Sequence, residues 1–435
     1  EGLSSPEGAS VSAAFDAPIS VKAPAAEAGA APGLSLPSDE VEDRLADIHR
    51  MAASGSSVIE PMRTRRPVVS WDDILIKGAQ LARLPLNHWD AVNTRTVIGP
   101  KARRPLVIET PVIVSHMSFG ALSKEAHIAL AKGTASVGTA HCSGEGGILP
   151  EALAAAHRFI FEYVPNRYSV TEETLKRVDA LEIKFGQSAK PGMGGHLPAG
   201  KVTAEIGSVR GVPPGTDVVS PSRFPDITTP DDLKRTVVRL REASDGRPVG
   251  VKIAAGHIEA DLEIALAADL DFITIDGRPG ATGAAPKLIK DATSIPTLFA
   301  LHRARKYIDS RGVEGVTLII TGGFRVSPDF AKALALGADV VALATAALLA
   351  IGCRQVRACD SGRCPMGIAT QDPELRARLD IDDAARRLAN FIRVSTEELR
   401  DFARLTGHDD VHKLSVRDLA TVDSEISGHT SIEHV

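Results

Sequence analysis

From Pro111 onward the chain alternates short Val- and Ile-rich runs with longer Ala- and Leu-rich stretches, and this alternation restricts the fold more than any other feature. A strand buried on both faces reads as an unbroken apolar run, because helices cover its outer side. Eight such runs occur: Val112–His116, Gly138–His141, Phe159–Val164, Leu181–Phe185, Val249–Ala254, Phe272–Asp276, Val316–Thr321 and Val340–Ala344. Eight strands with intervening helices in roughly 250 residues predict an α/β fold, a TIM-type (β/α)8 barrel. The connection Ser188–Pro230 is long and rich in Gly and Pro; connections of that kind are usually functional.

The remaining organisation follows from composition. Residues 1–37 are Ala, Pro, Ser and Gly with few large apolar side chains and read as a flexible leader. Residues 38–105, with an expected helix at Val41–Ala52, form an N-terminal extension that packs on the barrel of 106–371. Residues 372–435 begin with helical apolar spacing (Leu388, Phe391, Ile392, Leu399, Phe402, Leu405) and form a helical C-terminal segment. Fifty Lys and Arg against 55 Asp and Glu leave a formal charge of −5. That balance gives no electrostatic reason to expect nucleic acid or an anionic membrane. No apolar run approaches the roughly 20 residues of a spanning helix, and no signal peptide opens the sequence. With four cysteines, three of them clustered, the chain is no disulfide scaffold, and its expected location is cytoplasmic.

In a barrel of this type chemistry sits at the C-terminal ends of the strands. Read in order, those ends carry His116-Met117-Ser118, Cys142-Ser143-Gly144-Glu145, Lys184 with Gln187 and Lys190, Lys252, the loop Asp276–Gly283, Gly322-Gly323 and Thr345. Glycines after the seventh strand and Thr345 after the eighth match the usual barrel phosphate site, so a phosphate-bearing cofactor is expected; the plainer reading is that these glycines only turn the chain. Lys190, Lys252 and Arg210 are suited to carboxylates, Arg through its bidentate fork, unless each serves a surface ion pair. Glu145 is placed for acid–base work or for positioning an amine, or else caps backbone N–H groups. His196, in the Gly-rich loop, fits a structural role as well as a catalytic one.

Cys353-x5-Cys359-x4-Cys364-Pro365 is the sharpest local motif. Three thiolates in one loop after the eighth strand suit an iron–sulfur cluster. Zinc with a distant His, or three unrelated buried thiols, are the alternatives.

The segments SHMSFGALSKEAH, SGEGG, IKFGQSAKPGMGGHLP, IDGRPGATGAAP, TGGF and GCRQVRACDSGRCPMGIATQ occur in this order and resemble the FMN-binding synthase domain of glutamate synthases. The resemblance covers about Val112 to Gln371 and implies a (β/α)8 barrel holding FMN and a 3Fe–4S cluster. It implies reduction of 2-iminoglutarate, formed from 2-oxoglutarate and ammonia, to L-glutamate. It places Met117, Ser118, Gln187, Lys252, Gly322, Gly323 and Thr345 around the flavin, with Gly280 and Gly283 of the sixth loop counted among them. Cys353, Cys359 and Cys364 would ligate the cluster, Lys190 and Arg210 would hold the 2-oxoglutarate carboxylates, and Glu145 would stand near the reacting carbon and amine.

The departures shape the expected activity. Residue 1 is Glu, no cysteine precedes Cys142, and no glutaminase-sized segment or β-helix domain is present, so the chain is expected not to hydrolyse glutamine. His196 stands where the family usually has Gln, and Cys142 where it usually has Asn. A free-standing chain of this kind resembles the FMN subunit of split systems such as N-methylglutamate synthase, with amidotransferase-like and β-helix subunits as partners in a hetero-oligomer. The expectation therefore leans to methylamine and N-methyl-L-glutamate, with an ammonia-using glutamate synthase subunit as the alternative. An FMN-dependent 2-hydroxy acid oxidase and a non-catalytic electron-relay subunit are the remaining readings.

Overall fold

The computed structural model describes residues 41–435; the expected leader, 1–37, lies outside the described residues. Each of the eight apolar runs overlaps one strand of a closed barrel: β1 (Val112–Val114), β2 (Ala140–Cys142), β3 (Arg158–Tyr163), β4 (Ala180–Lys184), β5 (Val249–Ala254), β6 (Phe272–Asp276), β7 (Thr317–Thr321) and β8 (Val340–Leu343); β2, β3 and β4 each reach one residue beyond the run. All neighbours are parallel, and β8 pairs with β1 to close the ring, with Ala342 opposite Ile113.

Side chains alternate across each strand, and the two faces meet different surroundings. Phe161, Leu181, Ile183, Val251, Ile275 and Ile320 face outward into the main core shared with the surrounding helices. Ile113, Ala140, Ile160, Ala180, Phe272, Ile319 and Val340, at the N-terminal ends of their strands, form a separate core inside the barrel. An antiparallel hairpin, Thr96–Ile98 with Leu106–Ile108, closes that end, and Ile98, Leu106 and Ile108 join the same inner core. Gly250 belongs to this layer by necessity: a Cβ there would lie 2.4 Å from Cδ2 of Phe272.

Two residues further along β3, β4, β5 and β6 the inward face becomes polar. Ile160 is followed by Glu162, Ala180 by Glu182 and Lys184, Gly250 by Lys252, and Phe272 by Thr274 and Asp276. The barrel therefore has a dry lower half and an ionic upper half, built from the same strands.

The chain ends fold together outside the barrel. Helix Ile381–Leu405 opens with Asp380, whose side chain accepts from the Asp383 N–H, and buries Leu388, Ile392 and Leu399 at helical spacing. It lies close against helix Lys124–Ala135, where a Cβ on Gly133 would meet Ala385 O and Leu388 Cβ at 2.9 Å. Leu419–Thr421 then pairs antiparallel with Ile74–Ile76 of the N-terminal extension. The segment 353–364 after β8, expected as an iron–sulfur loop, is corrected by the structure to a loop whose cysteines pack in an apolar cluster beside helix Thr345–Ala350. Among the described residues no helix is long and apolar enough to cross a membrane.

Candidate functional site

A cavity of about 300 Å³ opens at the C-terminal end of the barrel. That size and position match a small-molecule site. Glycine brings its walls together: at Gly144, with φ +73°, a Cβ would lie 2.4 Å from the carbonyl carbon of Met117, so only glycine lets the loop after β2 touch the loop after β1.

Glu145 follows that contact. Its Oε2 accepts from Lys184 Nζ at 2.7 Å and its Oε1 from the backbone N–H of Gly195 at 3.1 Å. Burial pulls the carboxyl upward, but Lys184, the Ser220 hydroxyl and Lys190 outweigh it and bring the pKa down to about 2. Glu145 is thus an anion at neutral pH. Lys184 is raised in turn, because the carboxylates of Glu145 and Glu162 outweigh its own burial.

Lys190 and Arg210 line the same cavity from the long connection between β4 and β5. Lys190 Nζ donates to Gly194 O at 3.1 Å and is lowered by burial. Arg210 ends helix Ala204–Arg210; its Nη2 donates to Phe119 O at 2.7 Å and its guanidinium lies over the Tyr168 ring. Among the described residues no carboxylate pairs with it, and its buried Nε lacks a hydrogen-bond partner. A buried guanidinium with donors to spare is ready for an anion. His196 also lines the cavity, but its Nε2 faces the exposed Asp217 carboxylate at 3.6 Å.

Of the residues expected around a flavin, Met117, Ser118, Gln187, Lys252, Gly283 and Thr345 line the cavity wall. Gly280, Gly322 and Gly323 do not. A Cβ on Gly280 would meet Ser188 Oγ, on Gly322 Gly277 O, and on Gly323 Pro279 Cδ, so these glycines serve close packing of the loops behind the wall. Cys142 is buried with the inner core and stays out of the cavity.

His116 and Glu162 line the floor, with Glu182 behind them, and none of the three was assigned a role from the sequence. His116 Nε2 lies 2.6 Å from Glu182 Oε2, and Glu162 faces Lys184, Lys252 and His116 at 3.8, 3.7 and 3.9 Å. Thr274 hydroxyl donates to the other Glu182 oxygen. Burial alone would lower the His116 imidazole, but Cys142, Glu162 and Glu182 raise it to about 10. Three carboxylates (Glu145, Glu162, Glu182) thus face three cations (Lys184, Lys252, His116). The available signal was a charge at an inward position of an otherwise apolar strand, as Glu162 is within RFIFEY.

Among the described residues, His116, Glu162 and Glu182 are the one set of three or more His, Cys, Asp or Glu side chains whose ligand atoms lie within 4.8 Å of one another. The expected three-cysteine 3Fe–4S cluster is corrected by this finding, and a zinc site on those thiols falls with it. Cys353, Cys359 and Cys364 reach the cavity wall without their sulfurs converging into such a set. Their surroundings are apolar: Cys359 Sγ lies 3.9 Å from Met62 Sδ, and burial pushes its thiol up to about 11 and that of Cys353 up as well. A protonated thiol is a poor ligand. The His–Glu–Glu set is itself already charge-balanced, with two ammonium groups against Glu162, and a divalent cation there would add uncompensated charge.

Comparison with known proteins agrees with this geometry. A family model described as a conserved region in glutamate synthase matches residues 71–409. A glutamate synthase large subunit-like protein of Rhizobium meliloti (strain 1021) is 37% identical over 408 residues, covering 89% of this chain and 92% of that protein. An archaeal glutamate synthase (NADPH) of Methanocaldococcus jannaschii is 37% identical over 404 residues, covering 86% and 79%. Among solved structures, a mandelate oxidase variant carrying an FMN monooxide adduct superposes with a TM-score of 0.50 at 17% identity, over 81% of this chain and 88% of that one; this likeness shows the fold alone. With the matched region spanning the whole barrel and both loops that carry Glu145 and Lys190, the chain belongs to the glutamate synthase family.

Proposed function

We propose that the chain is an FMN-dependent oxidoreductase of the glutamate synthase type, which reduces the imine formed from 2-oxoglutarate and ammonia to L-glutamate. One observation carries this reading: Glu145, Lys190 and Arg210 converge on a single cavity with Met117, Ser118, Gln187, Lys252 and Thr345. The residues fit a flavin, because Glu162 presents to this cavity two buried carboxylate oxygens that have no hydrogen-bond partner among the described residues. Met117, Ser118, Gln187, Lys252, Gly283 and Thr345 would hold it. When bound, FMN supplies the hydride that such a reduction needs.

The chain's own residues do the rest. Arg210 and Lys190 bind the two carboxylates of the 2-oxo acid and fix its reacting carbon, which removes orientational freedom from the step. Ionised Glu145 accepts a hydrogen bond from the incoming ammonia and aims its lone pair at the carbonyl carbon, and the same negative charge faces the iminium that forms when water leaves. Lys184 keeps Glu145 ionised for that role.

Ammonia is the amine in this proposal. Two relatives that cover most of the chain are named glutamate synthases or as glutamate synthase-like, and Cys142, one of the two departures behind the methylamine expectation, does not reach the cavity. Amidotransferase-like and β-helix-type partner chains remain part of the proposal, as the source of that ammonia. The test is turnover of the full chain, loaded with FMN and chemically reduced, with 2-oxoglutarate and either ammonium or methylamine, read by mass spectrometry. Glutamate formed faster than N-methylglutamate supports the reading; the reverse preference overturns the choice of amine, and no product with either overturns the activity.

A further inference from the structure

Glu162 is 1% exposed, lies on the cavity floor, and among the described residues neither of its carboxylate oxygens has a hydrogen-bond partner. A buried carboxylate in that state is rare, because nearby charge without a hydrogen bond recovers only part of the desolvation cost. Two ammonium groups stand nearby, yet neither bonds to it: Lys252 Nζ lies 3.7 Å from Oε1 and Lys184 Nζ 3.8 Å from Oε2. The two lysines are register partners on β5 and β4, while Glu162 reaches in from β3. Each oxygen faces a different ammonium, so the carboxylate stands between them. Each ammonium has three N–H donors, and Lys184 spends one on Glu145.

We propose that Lys252, Glu162 and Lys184 form a donor–acceptor–donor row that recognises the imide edge of a ring, an N–H flanked by two carbonyls. The row is complementary to that edge and to few others: the lysines donate to the two carbonyl oxygens, and Glu162 accepts from the N–H between them. The isoalloxazine of FMN carries this edge, as does uracil; the assignment to FMN rests on the function proposed above. The carboxylate has a second consequence. It opposes negative charge accumulating on the pyrimidine portion of the ring on reduction, and so holds the reduction potential down, while Lys252 and Lys184 act in the opposite sense.

The test uses the full chain, stripped of flavin, titrated with FMN, with 3-methyl-FMN and with uridine monophosphate, and read by flavin fluorescence and competition. Wild type is expected to bind 3-methyl-FMN at least about tenfold more weakly than FMN, the loss of a hydrogen bond to a charged group. In E162A that ratio is expected to fall to within about threefold. E162Q, which keeps size and an acceptor oxygen, is expected to fold, to retain FMN, and to shift its midpoint potential upward in a dye-equilibration titration. Equal binding of FMN and 3-methyl-FMN by wild type, or an unmoved potential in E162Q, overturns the row while leaving a flavin site standing. Failure of wild type to bind FMN at all overturns the functional reading instead. Uridine monophosphate binding tighter than FMN would keep the row and reassign its ligand.

Discussion

The lower and upper halves of the barrel interior share strands β3 to β6, with lining residues two apart, yet they do opposite work. In the lower half Ile160, Ala180, Phe272 and Ile319 pack against the hairpin residues Ile98, Leu106 and Ile108 in one apolar cluster. In the upper half Glu162, Glu182, Lys184, Lys252 and His116 hold charge out of water. Buried ion networks are weak sources of stability, since desolvation consumes most of the attraction. The difference teaches that the lower layer keeps the barrel closed while the upper layer is retained for binding and chemistry.

Substitutions that break one layer should therefore spare the other. The largest effect is expected from F272A: emptying a fully buried aromatic should lower stability by about 3–5 kcal/mol, read by denaturant unfolding, with ligand affinity of the folded fraction unchanged. A loss below about 1 kcal/mol would break the comparison. In the upper layer, E145Q should reduce turnover by about 100-fold or more while moving the melting temperature by only a few degrees. R210K should raise KM for the 2-oxo acid about tenfold with a smaller change in kcat, because an ammonium cannot replace the bidentate fork.

Proton linkage sharpens the same contrast. His116 has a folded pKa of about 10 against an ordinary 6.5, so its contribution to stability is complete below 6.5 and lost as pH rises through 10. The melting temperature should fall by a few degrees over that window, and H116N should flatten the fall. Glu145 runs the other way: with its pKa at about 2 against an ordinary 4.5, its contribution is present above 4.5 and lost as pH falls toward 2. The smallest effect is expected from H196A, whose ring faces an exposed carboxylate at the cavity rim; KM should change by less than about threefold.

Much of this was legible in the chain itself. Each expected apolar run overlaps a barrel strand to within a few residues at its ends, because a strand covered on both faces leaves an unbroken apolar signature. Glu145, Lys190, Arg210 and His196 were identifiable from their motifs, and all four reach one cavity. The rest has physical causes. Gly322 and Gly323 lie outside the cavity wall and are required by close packing against Gly277 and Pro279, a demand that reads in the sequence like the expected phosphate loop. The cysteine spacing pointed to a shared ligand, whereas the positions of the sulfurs depend on how the loop packs against Met62 and helix Thr345–Ala350.

The sequence by itself determined the eight strands and, through their period of two, which side chains face the barrel axis. Local geometry suffices for that, since alternation is a property of each strand alone. Only the tertiary structure decided which inward charges meet. Glu162 on β3 stands between Lys184 on β4 and Lys252 on β5 because barrel closure and register bring three separate strands to one level. Nothing in the spacing of those residues along the chain encodes that level; it follows from the pairing of whole strands around a closed ring.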